Sequence, residues 1–229
     1  MNRLAHASSP QTSLSASDGD STVANCIVLV RDVLSASERA AFVEAALRVE
    51  RRTGRSAFGQ KPRAEVCYTV NGKPYKYSGK LHFTTLLPAH VRDAIPHWLT
   101  AIDQQLPSDL SNPYRSVSHA VDIMYDANFA RGGSIGKHKD DEVDGWGLVL
   151  IYSLGQTRWL RVRDERSGAW FNVEASDNSL IAMLGSRFQQ EFTHQVDKLA
   201  DGEEVGTRLS INVRFTCDDD AATATHIHE

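Results

Sequence analysis

The segment HKDDEVDGW, residues 138–146, sets one histidine among acidic residues just ahead of an apolar run. In an extended chain residues two apart share a side, so His138 and Asp140 present an imidazole and a carboxylate to one point while Lys139 faces solvent. Such a pair suits a divalent metal. Alone it carries little, because a His-x-Asp pair arises by chance roughly 0.7 times in a chain of this composition, and an acidic surface turn is the simpler reading. A second histidine shifts the balance. His194 lies in EFTHQV, a later strand candidate, and completes the two-histidine, one-carboxylate set that holds non-haem Fe(II) while leaving coordination positions open. Beyond it RLSINVR spaces Arg208 and Arg214 six apart. An even spacing puts both planar guanidiniums on one strand face, where they can clamp a dicarboxylate. The ordered set is much less common by chance than any of its pieces.

These residues need strands to position them. From Ser116 onward seven short runs (SVSHAVDIMY, GLVLIYSL, RWLRVRD, WFNVEA, SLIAML, FTHQV and RLSINVRFT) read as strands of a sandwich or barrel. Upstream, NCIVLVRDVL is a strand candidate, and SASERAAFVEAALRVERR is a helix opened by a Ser35/Glu38 capping box with Ala41, Phe42, Ala45 and Leu47 on its apolar side. A second helix spans PAHVRDAIPHWLTAIDQQL, its face formed by Val91, Ile95, Trp98, Leu99 and Ile102, with Pro96 a kink or restart. Between the helices NGKP reads as a turn joining two tyrosine-rich strands into a hairpin. The expected order is helices first, then a β-core, in one α+β domain over residues 24–217. Residues 1–23 and 218–229 are polar and read as disordered tails.

Composition sets the bounds. The chain has 229 residues, a net charge of −4 and three cysteines. Cys26, Cys67 and Cys217 form no CxxC pair, which argues against a disulfide framework or a cysteine zinc site. No run approaches the ~18 apolar residues of a membrane span, and no signal-peptide core is present. An intracellular protein, cytoplasmic or nuclear, monomeric and without a membrane partner, is the expectation. The slight acidity leaves a nucleic-acid partner open but requires a local basic surface for it.

Over about Lys61 to Thr216 the sequence resembles the AlkB-like Fe(II)/2-oxoglutarate dioxygenases, through PRAEVCY, GKPYKYSG, SIGKHKDDE and RLSINVRFT. The resemblance implies a double-stranded β-helix (jelly-roll) core with N-terminal helices and a nucleotide-recognition lid hairpin at about residues 61–82. It implies His138, Asp140 and His194 as iron ligands, and Arg208 as partner of the distal carboxylate of 2-oxoglutarate. Arg214 is expected at the cosubstrate's other end, with Tyr125 supplying a phenol hydrogen bond. Asp141 and Glu142 fall where the family reads a flipped base, Tyr77 and Ser78 beside the base, and Arg63 or Lys80 near phosphates. The implied activity uses O2 and 2-oxoglutarate to demethylate N-alkylated bases of DNA or RNA. Two positions depart from the pattern: Ile123 and Ser210 stand where asparagines usually help hold the cosubstrate, and Asn212 is the nearest substitute. A hydroxylase of protein side chains or small molecules, and a non-catalytic binding module, are the competing readings.

Other polar residues have simpler explanations. His82, His90, His97 and His119 read as structural or exposed residues away from the metal, and His226 and His228 belong to the polar tail. Trp146, Trp159 and Trp170 read as core or strand-face packing, and Cys67 as a small buried side chain. Arg158, Arg161, Arg163 and Arg166 read as a solvated strand face, with a phosphate-facing patch as the alternative.

Overall fold

The structure, a computed structural model, describes residues 26–56, 59–77, 80–106, 114–140 and 146–217. Both expected tails lie outside these. In chain order the elements begin with β1 (Ile27–Val30), α1 (Ala36–Leu47), β2 (Arg55–Ser56), β3 (Gly59–Gln60), β4 (Ala64–Thr69), β5 (Tyr75–Tyr77), β6 (Lys80–His82), β7 (Thr85–Leu86) and α2 (Ala89–Asp103). They continue with β8 (Tyr114–Tyr125), β9 (Ile135–His138), β10 (Trp146–Gly155), β11 (Arg158–Asp164), β12 (Trp170–Ala175), β13 (Ser179–Leu184), α3 (Gly185–Glu191), β14 (Phe192–Val196) and β15 (Arg208–Cys217). All seven expected C-terminal strands are present.

A seven-stranded sheet runs β1-β13-β10-β15-β8-β4-β7, and a four-stranded sheet runs β12-β11-β14-β9. From β10 to β15 the chain passes between the two sheets, with β11, β12 and β14 in the smaller and β10, β13 and β15 in the larger. The fold is α+β, and its sheets are almost wholly antiparallel; among the described residues only the β4–β7 pairing is parallel. β1 pairs with β13, so the first strand completes a sheet whose other members come much later. The order is therefore not simply helices followed by strands.

Period-two alternation sorts the side chains of the large sheet. On β15 Leu209, Ile211, Val213 and Phe215 join the core under the helices, while Arg208, Ser210, Asn212 and Arg214 line a cavity on the other face. On β10 Leu148, Leu150, Tyr152 and Leu154 face the helices, and Val149 and Ile151 face the small sheet. Two cores result, one between helices and large sheet and one between the sheets.

The helices hold the first core. Ser35 caps α1 in the expected capping box, a feature contributing about 1 kcal/mol. The buried residues of α1 are Phe42 and Ala46, one turn apart, whereas Leu47 is exposed. On α2 the buried residues are Val91, Ile95, Trp98 and Ile102, and the helix runs on through Pro96 rather than restarting. Pro96 is on the exposed side, so water can satisfy the carbonyl that its missing N–H leaves free. The rings of Phe42, Trp98 and Tyr152 meet at centroid distances of 4.8–5.8 Å, clamping both helices to β10.

The NGKP expectation is corrected. The strands flanking that turn do not pair with one another: β4 pairs with β8 and β7, and β5 pairs with β6, Tyr75 opposite His82 and Tyr77 opposite Lys80. A local turn signal cannot reveal that the partner of β4 lies about fifty residues downstream. The helix α3, between β13 and β14, was not anticipated, because GSRFQQE is short and lacks a cap signal.

Candidate active site

β9 and β14 are neighbours, and His138 sits directly opposite His194. Their rings lie 4.2 Å apart, centroid to centroid. Asp140, just beyond β9, is held by its backbone N–H donating to Gln189 Oε1 of α3 at 3.1 Å. Its carboxylate oxygens lie 3.8 Å from His138 Nε2 and 3.7 Å from His194 Nε2. Ligand atoms of all three lie within 4.8 Å of one another, the arrangement of a metal site.

The protonation states suit a divalent ion. Burial pulls His138 below the ordinary imidazole range and His194 down to about 3, so both rings keep a lone pair at neutral pH. His138 Nδ1–H donates to the Gly136 carbonyl at 2.8 Å, leaving Nε2 for the metal. Burial acts to raise the Asp140 carboxyl, but Arg214, His194 and His138 overcome it and hold the group far below the usual carboxylate range. Arg214 Nη2 donates to Asp140 Oδ1 at 2.6 Å. Arg214 thus grips a metal ligand, a role that its spacing from Arg208 did not suggest.

The same cavity contains Arg208 and Tyr125. Arg208 is 2% exposed and donates through Nη2 to Ser153 Oγ at 3.0 Å. Its Nε and Nη1 are buried without a hydrogen-bond partner among the described residues, and burial pulls its pKa down. A buried guanidinium that has the Tyr125 phenol near it but no ion-paired carboxylate among the described residues fits an incoming carboxylate. Ile151, Leu160, Ile181 and Val196 line the cavity with apolar surface, which suits the methylene chain of 2-oxoglutarate. Asn212 donates instead to the Val121 and Ser210 carbonyls, each at 3.1 Å, so its amide is engaged by the strands.

Arg63 lines the cavity too, with Lys61, Glu65 and Cys67 of the β4 segment. Glu65 pairs with Lys61 and with Arg63 Nε. Tyr77 and Lys80 are placed only as backbone partners in the β5–β6 pair. Ser78, Asp141 and Glu142 lie outside the described residues. His82 and His119, expected away from the metal, line the cavity as well. His119 lies on β8 opposite Arg214, with burial and then Arg214 pushing its pKa down to about 2. Its place in the alternation of β8 two and four residues from Val121 and Ile123 was the available signal. Lys139 is not left to solvent: its ammonium donates to the Gln190 carbonyl of α3.

The arginine-rich β11 divides by the same alternation. Arg158 is 3% exposed and donates to the carbonyls of Gly132, Gly133 and Asp197, so it belongs to neither a solvated face nor a phosphate patch. Arg161 pairs with Asp197 and stacks over Trp170 at 4.5 Å.

A facial triad of His138, Asp140 and His194 beside a carboxylate-ready arginine defines an Fe(II)/2-oxoglutarate-dependent dioxygenase. The chain belongs to the 2OG-Fe(II) oxygenase superfamily, whose family model matches residues 27–214. Compared with curated proteins, it matches none significantly.

Proposed function

We propose that this oxygenase is AlkB-like and removes alkyl groups from the nitrogens of nucleobases in DNA or RNA. The observation that carries the reading is the wall of the catalytic cavity: Lys61 and Arg63, from the segment bearing the PRAEVCY resemblance, line the same cavity as the triad. The passage of β10 to β15 between two sheets supports a double-stranded β-helix core. Tyr77, Ser78, Asp141 and Glu142 are proposed for the base, Arg63 and Lys80 for phosphates, and the pairing of β5 with β6 is proposed as the lid.

His138, Asp140 and His194 would hold the iron. When bound, Fe(II) with 2-oxoglutarate and O2 supplies a two-electron oxidation, the cosubstrate leaving as succinate and CO2. Arg208, steadied by Ser153, would take the distal carboxylate, and Tyr125 would add its phenol. Arg214 keeps one oxygen of Asp140 occupied and so fixes the carboxylate's orientation. Neutral His119 and the apolar residues Ile151, Leu160, Ile181 and Val196 give the cavity a partly dry lining. One C–H of the N-methyl group becomes C–OH. The C–N bond of that hemiaminal then breaks, formaldehyde leaves, and the hydroxyl proton returns to the base nitrogen.

Formaldehyde release from N-methylated oligonucleotides, with Fe(II) and 2-oxoglutarate supplied, tests the reading. Succinate formation that is the same with or without oligonucleotide, and no formaldehyde, would move the substrate to a protein side chain or small molecule.

A further inference from the structure

Beyond the three ligands, two more imidazoles line the catalytic cavity, those of His82 and His119, and neither belongs to the ligand cluster. Their place in the sheet is defined. His119 of β8 lies between Arg214 of β15 and Thr69 of β4, opposite both in the ladder. Arg214 holds the metal ligand Asp140. Thr69 holds the two roots of the β5–β6 pair: its Oγ1 donates to the Lys73 carbonyl at 3.2 Å and lies 3.1 Å from Thr84 Oγ1. One row across the sheet thus runs from the metal end through His119 to the segment that carries His82.

Few sides of the cavity are left for a substrate. His138 and His194 approach the metal from the small sheet, and the β15 side chains leading from Arg214 to Arg208 mark the path proposed for the cosubstrate. The remaining wall is made by His119, Val121, Cys67 and His82. Glu65, with its partners Lys61 and Arg63, stands further along towards Tyr125, opposite Ile123. The polar group of β8 at the metal end is therefore an imidazole, 2% exposed, which burial and Arg214 keep uncharged. Ser118 Oγ lies 3.2 Å from its Nδ1 and steadies the ring. We infer that His119 is a specificity-determining residue, its ring hydrogen-bonding the polar edge of the substrate beside the carbon that is oxidised; this rests on the nucleobase reading above. A neutral imidazole carries one donor and one acceptor, and a flipped base is read through the donors and acceptors of its edge. The methylated ammonium of a protein side chain offers no acceptor to such a ring. Orientation is what the contact controls, because a substrate displaced by about 1 Å lets 2-oxoglutarate be consumed without demethylation.

The test measures formaldehyde and succinate together, with the full-length iron-loaded protein and a single-stranded DNA decamer carrying one central 1-methyladenine. The wild type is expected to form the two products in equal amounts. His119→Leu keeps the bulk but removes the polar atoms, and should lower the formaldehyde-to-succinate ratio about fivefold or more and kcat/KM for the oligonucleotide about tenfold. His119→Gln, which restores a donor and an acceptor, should recover part of both. Mn(II) affinity and the KM for 2-oxoglutarate should stay at their wild-type values in the two variants. An unchanged product ratio in His119→Leu overturns the inference and leaves the nucleobase reading standing. Equal impairment of the two variants would assign the effect to the shape of the ring, and a matching loss of Mn(II) affinity would assign it to Arg214 and the metal; either result likewise overturns the substrate contact. No formaldehyde from the wild-type protein overturns both readings.

Discussion

Ser210 of β15 and Ile123 of β8 stand directly opposite each other in the antiparallel ladder, both facing the catalytic cavity. These are the two positions at which the AlkB-like pattern carries asparagine. Under the proposed AlkB-like reading the two departures therefore fall at one place in space, where an alkyl group and a hydroxyl stand in for a pair of amides. The Ser210 hydroxyl is within 3.3 Å of Asn212 Nδ2, so the new pair leaves it a partner. Ile123→Asn alone should destabilise the protein by about 1–3 kcal/mol, since it buries an amide that Ser210 cannot fully satisfy. Adding Ser210→Asn should recover part of that loss and lower the KM for 2-oxoglutarate. Denaturation of both single variants and the double variant checks this; strictly additive effects would mean that the pair is not coupled.

The two arginines of β15 should separate cleanly in experiment. Arg208→Met removes the buried donors facing the cavity and should raise the KM for 2-oxoglutarate tenfold or more, with metal affinity little changed. Arg214→Met removes the bond to Asp140 and should weaken Mn(II) binding about 10- to 100-fold, as expected for a partner that orients a metal ligand. Metal titrations and cosubstrate kinetics on both variants decide the matter, and an identical profile for the two would contradict the division of roles.

Much of this was legible in the sequence because its signals are local and periodic. The alternation of β15 placed Arg208 and Arg214 on one face, and the Ser35/Glu38 box opened α1 where expected. What the sequence concealed depends on partners far along the chain. Nothing near NGKP tells that β4 pairs with β8, and nothing in RWLRVRDER tells that Arg158 is buried while Arg161 is part-exposed, apart from the phase of β11. Ser153 and Gln189, which steady Arg208 and Asp140, are ordinary polar residues until the fold brings them to the site. Asp141 and Glu142 show the limit from the other side: their assignment rests on resemblance alone.

Metal should stabilise the folded chain, because its three ligands converge only after β9 and β14 pair. At a hundredfold excess of Mn(II) over its Kd the gain is about 2.7 kcal/mol, a rise in melting temperature of about 5–10 °C for a chain of this size. Chelator should reverse it. His138→Ala should abolish both the rise and 2-oxoglutarate turnover, and a retained rise in that variant would mean that Mn(II) binds elsewhere.

Cys67 lines the cavity yet should react slowly. Burial, with Glu65 adding to it, pushes its thiol up to about 11, so at pH 8 roughly one molecule in a thousand carries the reactive thiolate. Iodoacetamide labelling followed by peptide mass spectrometry should therefore be slow at pH 8 and rise about tenfold per pH unit towards 11. Complete labelling within minutes at pH 8 would show the thiol to be open to solvent.

The lead into the metal strand is a tight crossing, and Arg158 is its brace. Gly133 adopts φ 76°, and a methyl group there would collide with the Pro62 carbonyl oxygen, which already accepts from Ser134 N–H at 3.2 Å. Arg158 holds the carbonyls of Gly132 and Gly133, and its guanidinium lies 5.7 Å from the centre of the Tyr125 ring, on which Arg208 also bears at 5.2 Å. One side chain thus ties the approach to His138 to the arginine proposed for the cosubstrate. Arg158→Met strips donors from buried carbonyls at about 1–3 kcal/mol each, and should both destabilise the fold and raise the KM for 2-oxoglutarate. Arg161→Met, on the part-exposed face of the same strand, should change stability by less than about 1 kcal/mol and leave that KM alone. Gly133→Ala should be more damaging than either in thermal melts, because the strain falls on backbone that cannot rotate away. If Arg158→Met lowers the melting temperature but leaves the KM at the wild-type value, the brace serves the fold only and Tyr125 holds its place without it.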